Sequence, residues 1–228
     1  MITLYFGPPG CGKSTMAAKL IKKAPRLYDH VYSNFLCAGA RYFNAKDIGT
    51  FQFPEHSLVI IDEAGIEFNN RQFKSFGKDL VYFFKMHRHY KIDIVLFSQS
   101  WEDTDITIRR LAVDLYNMKK VGNFSISRRV KMYVGLDEQT HQLVDAYEFY
   151  HLWAFWNKPL RFCYRPFYYH CFDSFQHPPI NPIPFTELPD RRLSWNDRLK
   201  IFARSLKPTP TKLFFLAGFL LLFKLISG

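Results

Sequence analysis

Short, largely apolar runs recur through the first hundred residues, at 2–6, 31–35, 58–61 and 92–97. A strand covered on both faces reads as such a run, whereas a half-exposed strand alternates. Between the runs the period changes. Residues 15–23 and 73–90 predict helices, and Leu80, Phe83, Phe84 and His87 form a stripe at helical spacing in the second. The stripe is read as core. His87, Arg88 and His89 are read as the charged end of that helix, where cations favour the dipole, with a contact to a neighbouring subunit or a terminal phosphate as the alternative. Residues 41–54 read as irregular and 64–70 as a loop. Further on, 115–120 and 130–134 predict two strands joined by a turn at Gly122-Asn123. Residues 143–156 alternate and are rich in aromatics, and no internal repeat is visible. This order predicts an α/β fold of three layers, with a mostly parallel central sheet between helices.

The pattern changes near residue 175. Pro178, Pro179, Pro182, Pro184 and Pro189 mark residues 176–192 as a stiff linker. In 193–207, Ser194 reads as a helix cap with Asp197 three residues on. Trp195, Leu199, Phe202 and Leu206 follow at helical spacing among Arg198, Lys200, Arg204 and Lys207. This basic amphipathic helix suits an anionic membrane surface, or else a solvated face packed on its own domain. Residues 212–227 are apolar except for Lys224, Ser227 and the flanking Lys212. A full span takes about twenty apolar residues, so the segment is a short one. It is expected to be a transmembrane anchor with Lys224 snorkelling to the far interface. The basic residues before it would keep the N-terminal domain, 1–175, in the cytoplasm. A buried C-terminal helix is the other reading.

The sharpest chemical signal is Gly7-Pro8-Pro9-Gly10-Cys11-Gly12-Lys13-Ser14, of the form G-x-x-x-x-G-K-[ST], set between the first strand and the first helix. Its glycines let the backbone N–H groups turn inward, and the helix start adds partial positive charge. The loop through Thr15 is therefore expected to cradle a polyphosphate, and the fold is expected to be that of a P-loop NTPase. Lys13 would reach the β- and γ-phosphates of ATP, and the Ser14 hydroxyl would ligate Mg²⁺. Leu58-Val59-Ile60-Ile61 delivers Asp62 and Glu63 at a strand end. Asp62 suits the Mg²⁺, and Glu63 suits orienting an attacking water. Gln99, at the tip of the next strand, is expected to sense the γ-phosphate or to cap its loop. Arg109 and Arg110, on a short helix at 105–111, either act in trans on a neighbour's nucleotide or form a solvated basic face.

Composition changes this picture little. A net charge of +11 favours anionic partners without choosing among nucleotide, nucleic acid and lipid. The 24 phenylalanines suit dense packing or membrane association. Cys11, Cys37, Cys163 and Cys171 lack zinc spacing, and Cys11 lies inside the loop, so reduced thiols of a cytosolic protein are expected. No leader is expected before the first strand.

Together the phosphate loop, Asp62-Glu63-Ala64-Gly65, His87-Arg88-His89, Ser98-Gln99-Ser100-Trp101 and Ile108-Arg109-Arg110 resemble the zonular occludens toxin (Zot) family. Arg165-Pro166-Phe167-Tyr168-Tyr169 and Phe172-Asp173-Ser174 add to the likeness, which covers about residues 1–175. These are the morphogenesis ATPases of filamentous phages. The resemblance implies an ATP hydrolase in the cytoplasm, anchored in the host inner membrane, that drives assembly and extrusion of phage. Coat or other assembly proteins would be its partners, and subunits would form a homo-oligomeric ring. The family's far-side domain has no counterpart here, so toxin activity is not expected. Two rival readings remain: a small-molecule kinase, against which the Glu63 pairing argues, and a non-hydrolysing nucleotide-gated membrane scaffold or DNA tether.

Overall fold

The first apolar run forms β1 (Ile2–Phe6), buried at every residue and placed inside the sheet, with a parallel strand on either side. The computed structural model describes residues 1–48, 51–67, 78–104, 106–136, 143–153, 157–173, 195–196 and 199–200. The chain divides into two compact units, Met1–Arg191 and Arg192–Gly228. In the first, β1 leads to α1 (Lys13–Lys23), β2 (His30–Ser33), β3 (Arg41–Tyr42), β4 (Ser57–Ile61) and α2 (Ala64–Glu67). Then come α3 (Lys78–Met86), β5 (Asp93–Ser98), α4 (Ile106–Leu111), β6 (Asp114–Val121), β7 (Phe124–Leu136), β8 (Leu143–Phe149) and β9 (Leu160–Tyr164). The strands lie in the order β3-β2-β4-β5-β1-β6-β7-β8, with β9 on β7. From β3 to β6 every pairing is parallel. β7 pairs antiparallel with β6, β8 and β9. The expected α/β fold with a mostly parallel central sheet is present, extended by an antiparallel part.

Alternate strand residues serve two cores, which is why the runs are continuous. Leu4 and Phe6, Val59 and Ile61, and Ile94 and Leu96 pack with Phe83 and Phe84 of α3 and Ile108 of α4. On the other face Tyr5, Leu58, Ile60, Val95 and Phe97 pack with Met16, Ala17, Ala18 and Ile21 of α1. Each large side chain so buried contributes about 1.5–3 kcal/mol. A polar change on either side of these strands therefore strikes a core.

Several local expectations change. Residues 41–54 are not wholly irregular. Tyr42 pairs with Ser33 on the edge strand β3, and Ala45–Asp47 makes a 3-10 turn. A two-residue strand is set by its neighbour rather than by its own pattern. Residues 64–67 form the helical turn α2, not loop. Strand β7 begins at Phe124, six residues before the predicted start. Its inward positions there include Ser125 and Ser127, both fully buried, so the apolar alternation disappears from the sequence. The turn at Gly122-Asn123 is present, with Val121 opposite Phe124. The positive φ of Gly122, 56°, is what a two-residue hairpin turn needs at its first central residue. His87 is not a charged helix end. It is buried, Nδ1 donates to the Phe84 carbonyl at 2.7 Å, and burial pushes its pKa down.

The linker at 176–192 and the apolar segment at 212–227 lie outside the described residues. Of 193–207, Trp195, Asn196, Leu199 and Lys200 are helical, with Trp195 and Leu199 exposed. Among the described residues no helix is long and apolar enough to cross a membrane.

Candidate functional site

Strands β4, β5 and β1 are neighbours and end at one edge of the sheet. Phe6 lies opposite Ser98, and Ile61 opposite Leu96. Gly7, Asp62, Glu63 and Gln99 therefore leave the sheet side by side. The loop after β1 is pinned by Gly7 N–H donating to Ser98 O at 3.2 Å. A Cβ on Gly7 would stand 2.5 Å from the Met118 carbonyl oxygen of β6, so no side chain fits there. Gly12 caps α1 with φ 95°, in the left-handed region that favours glycine. A Cβ on it would also meet Thr15 Oγ1 and Arg165 Cδ, each at 2.8 Å. Helix α1 starts with no side-chain cap and no acid in its first turn. Its first amides and its dipole are left for an anionic ligand. Lys13 is buried, and its Nζ donates to Gly7 O at 3.1 Å, folding the cation back over the loop.

Ser14 Oγ donates to Asp62 Oδ2 at 2.8 Å, joining the loop to the end of β4. The Asp62 main chain is held by Asn34: its N–H donates to Asn34 Oδ1 at 2.7 Å, and Asn34 Nδ2 donates to Asp62 O at 2.9 Å. Burial pushes the Asp62 carboxyl above the usual carboxylate range, opposed by the Ser14 hydrogen bond. Glu63 has φ 54°, left-handed for a residue with a side chain. That conformation costs on the order of 1–3 kcal/mol and is characteristic of functional sites. Gln99 Nε2 donates to Glu63 Oε2 at 3.0 Å. Lys13, Ser14, Asp62, Glu63 and Gln99 thus meet where the sequence pattern places them. The Ser14 hydroxyl and the Asp62 carboxylate offer the hard oxygen donors that Mg²⁺ takes. No cluster of three or more His, Cys, Asp or Glu side chains forms among the described residues. Phosphate oxygens and water would have to complete such an ion's shell, as is usual for Mg²⁺.

A cleft of about 310 Å³ opens over the loop. Lys13, Ser14, Thr15 and Glu63 line one part of it, and Arg165, Tyr169 and Phe172 another. Sequence reasoning missed three supports of this site. Asn34 clamps Asp62. Ser125 Oγ of β7 donates to Cys11 O at 2.6 Å. The Cys163 thiol of β9 donates to Thr15 O at 3.6 Å. Nothing local marks Ser125 or Cys163, because each acts through a pairing far along the chain. Arg165 and Tyr169 enter the sequence reading only through the family likeness, with no role of their own.

The arginines of α4 lie apart from the cleft and do not line it. Arg109 is buried, its guanidinium 4.8 Å from the centre of the Trp101 ring. Arg110 is exposed and pairs with Asp145 at 3.3 Å.

A family model described as Zonular occludens toxin (Zot) matches residues 38–152, half of the chain. The matched segment holds Asp62, Glu63, Gln99, Arg109 and Arg110, and the phosphate loop precedes it. Among solved structures, the N-terminal domain of zonular occludens toxin from Neisseria meningitidis is 20% identical, with a TM-score of 0.49 over 70% of this chain and 98% of that one. The genome packaging NTPase B204 from Sulfolobus turreted icosahedral virus 2, in complex with ATP-gammaS, is 13% identical, with a TM-score of 0.39 over 63% and 95%. The flagellar accessory protein FlaH from Methanocaldococcus jannaschii is 12% identical, with a TM-score of 0.36 over 64% and 88%. No curated protein matches.

Proposed function

Because the chain belongs to the zonular occludens toxin family, we propose that it is a P-loop ATPase that drives assembly and extrusion of filamentous phage from the cytoplasmic face of the host inner membrane. The observation that carries the enzymatic part is the meeting of Lys13, Ser14, Asp62, Glu63 and Gln99 at one sheet edge. In this reading the loop amides and Lys13 hold the phosphates of ATP, and Lys13 exchanges Gly7 O for phosphate oxygen. Ser14 and Asp62 would hold Mg²⁺, which supplies charge neutralisation on the phosphates when bound. Glu63 orients a water for in-line attack on the γ-phosphorus and takes its proton. The P–O bond to the β-phosphate breaks, and ADP and phosphate leave. Gln99 donates to the Glu63 carboxylate, and in this reading it would exchange that bond for one to the γ-phosphate, which would make occupancy of the site legible to β5. Work on a phage particle needs neighbours, so a ring on the membrane with an arginine acting in trans belongs to the same proposal. Arg110, being exposed, is better placed for that than Arg109.

ATP hydrolysis measured with no added acceptor tests the reading. Wild-type protein should turn over. Lys13→Ala should lose tight ATP binding. Glu63→Gln should bind ATP and hydrolyse it at least about a hundredfold more slowly. Hydrolysis that appears only with a small-molecule acceptor would make the protein a kinase, and binding without turnover would make it a scaffold. Wild-type turnover by Glu63→Gln would remove Glu63 from the mechanism.

A further inference from the structure

The wall of the cleft contributed by residues 165–172 is not used by any step above, yet it is built as firmly as the phosphate loop. Arg165 N–H donates to Asn123 O at 3.0 Å, and its Nη2 donates to Gly122 O at 2.7 Å, tying it to the β6–β7 hairpin. The main chain then turns tightly, with Tyr168 N–H on Arg165 O at 2.9 Å and Cys171 N–H on Tyr168 O at 3.1 Å. Ala38 N–H closes it from the other side on Cys171 O at 2.8 Å. Phe172 is fixed edge-on to Phe35, ring centres 6.3 Å apart. Two features of this rigid segment have no internal purpose. Arg165 Nε is buried without a hydrogen-bond partner among the described residues, and an unmatched buried donor on a charged group is costly. The adjoining Cδ lies against Gly12, where α1 opens. Tyr169, meanwhile, lines the cleft while 52% exposed.

We propose that residues 165–172 form the nucleoside-facing wall of the cleft: Arg165 gives the phosphate chain a cation from within the same subunit, and Tyr169 is the face on which the base stacks. This rests on the nucleotide reading above. The volume of about 310 Å³ is at the lower end for a small-molecule site. A guanidinium suits this place because its fork satisfies Gly122 O with one arm and leaves another donor for phosphate oxygen. An aromatic face binds any base, so the wall selects for a nucleoside polyphosphate over bare polyphosphate without choosing among bases.

The experiment is calorimetric titration of full-length protein with ATP and, separately, with inorganic tripolyphosphate, which has the charges and no base. Arg165→Gln, which keeps an amide donor, should weaken both ligands roughly tenfold or more. Arg165→Lys, which keeps the charge but loses the fork, should recover part of the tripolyphosphate affinity. Tyr169→Ala should weaken ATP roughly fivefold or more and leave tripolyphosphate unchanged. Equal losses for both ligands in Tyr169→Ala would overturn the stacking role, and wild-type binding by Arg165→Gln would overturn the cation. So would an Arg165→Lys protein that binds as weakly as Arg165→Gln while melting like wild type. Lys13→Ala separates the two levels. If it alone loses ATP, the wall is wrong and the nucleotide site stands; if it too binds as wild type, the nucleotide site itself fails.

Discussion

Replacing Asn34 by alanine should loosen the acid-bearing strand end without changing any residue proposed to hold the phosphates. The Asn34 amide makes two bonds to one peptide segment, accepting from Asp62 N–H at 2.7 Å and donating to Asp62 O at 2.9 Å. A neutral hydrogen bond of this kind contributes about 1 kcal/mol net. The pair is part-buried, so water replaces some of what is lost, and the expected destabilisation is about 1–2 kcal/mol. For a protein of this size that is a fall in Tm of about 2–8 °C. Thermal and urea melts of the unliganded protein measure it. Turnover should fall further than stability suggests, because Asp62 and Glu63 are set by the same peptide. A displacement of about 1 Å at a reacting group costs on the order of a hundredfold. Asn34→Asp is the informative companion. It can still accept from Asp62 N–H but cannot donate to Asp62 O, and it brings a second carboxylate close, so it should be at least as harmful. An Asn34→Ala protein that melts within about 1 °C of wild type would refute the reasoning, since the clamp would then not be what holds Asp62.

His87 should make stability depend on pH. Burial lowers its pKa from the ordinary 6.5, and Nε2 has no acceptor among the described residues, so the unfolded chain binds the proton more readily than the folded one. Its contribution is therefore complete above about pH 6.5 and is lost as pH falls through the folded-state value. His87→Gln should flatten the Tm profile in that window, and an unchanged slope would remove His87 as the cause. For the C-terminal segment, full-length protein should stay with membranes through a high-salt wash, whereas a chain cut after Thr209 should be released as salt screens its basic helix. Release of the full-length protein by the same wash would mean that residues 212–227 are not inserted.

The parallel half of the fold was legible because strands buried on both faces leave continuous apolar runs and because the loop motif is local. Asp62, Glu63 and Gln99 could be placed for the same reason: each lies within two residues of the end of such a run. The antiparallel half was harder to read. Its inward residues Ser125 and Ser127 are polar and buried, and what they do is visible only in pairing with partners distant in sequence. Asn34 is not legible because it sits inside the apolar run 31–35 and no motif marks it. Its role depends on β2 lying beside β4, which the chain order does not reveal. Arg109 shows the opposite failure. Two adjacent arginines look alike in sequence, yet one stacks on Trp101 inside the domain and the other faces solvent.

The brace on the phosphate loop sets an order on the birth of the protein. Cys11 is held by Ser125, 114 residues later, and Thr15 by Cys163, 148 residues later. Strand β1 likewise waits for β5 and β6 before it has neighbours. At ribosomal speeds of about 5–20 residues per second, the loop is synthesised roughly 7–30 s before its last support. A nascent or truncated chain lacking β9 carries the complete motif without the Cys163 support of Thr15.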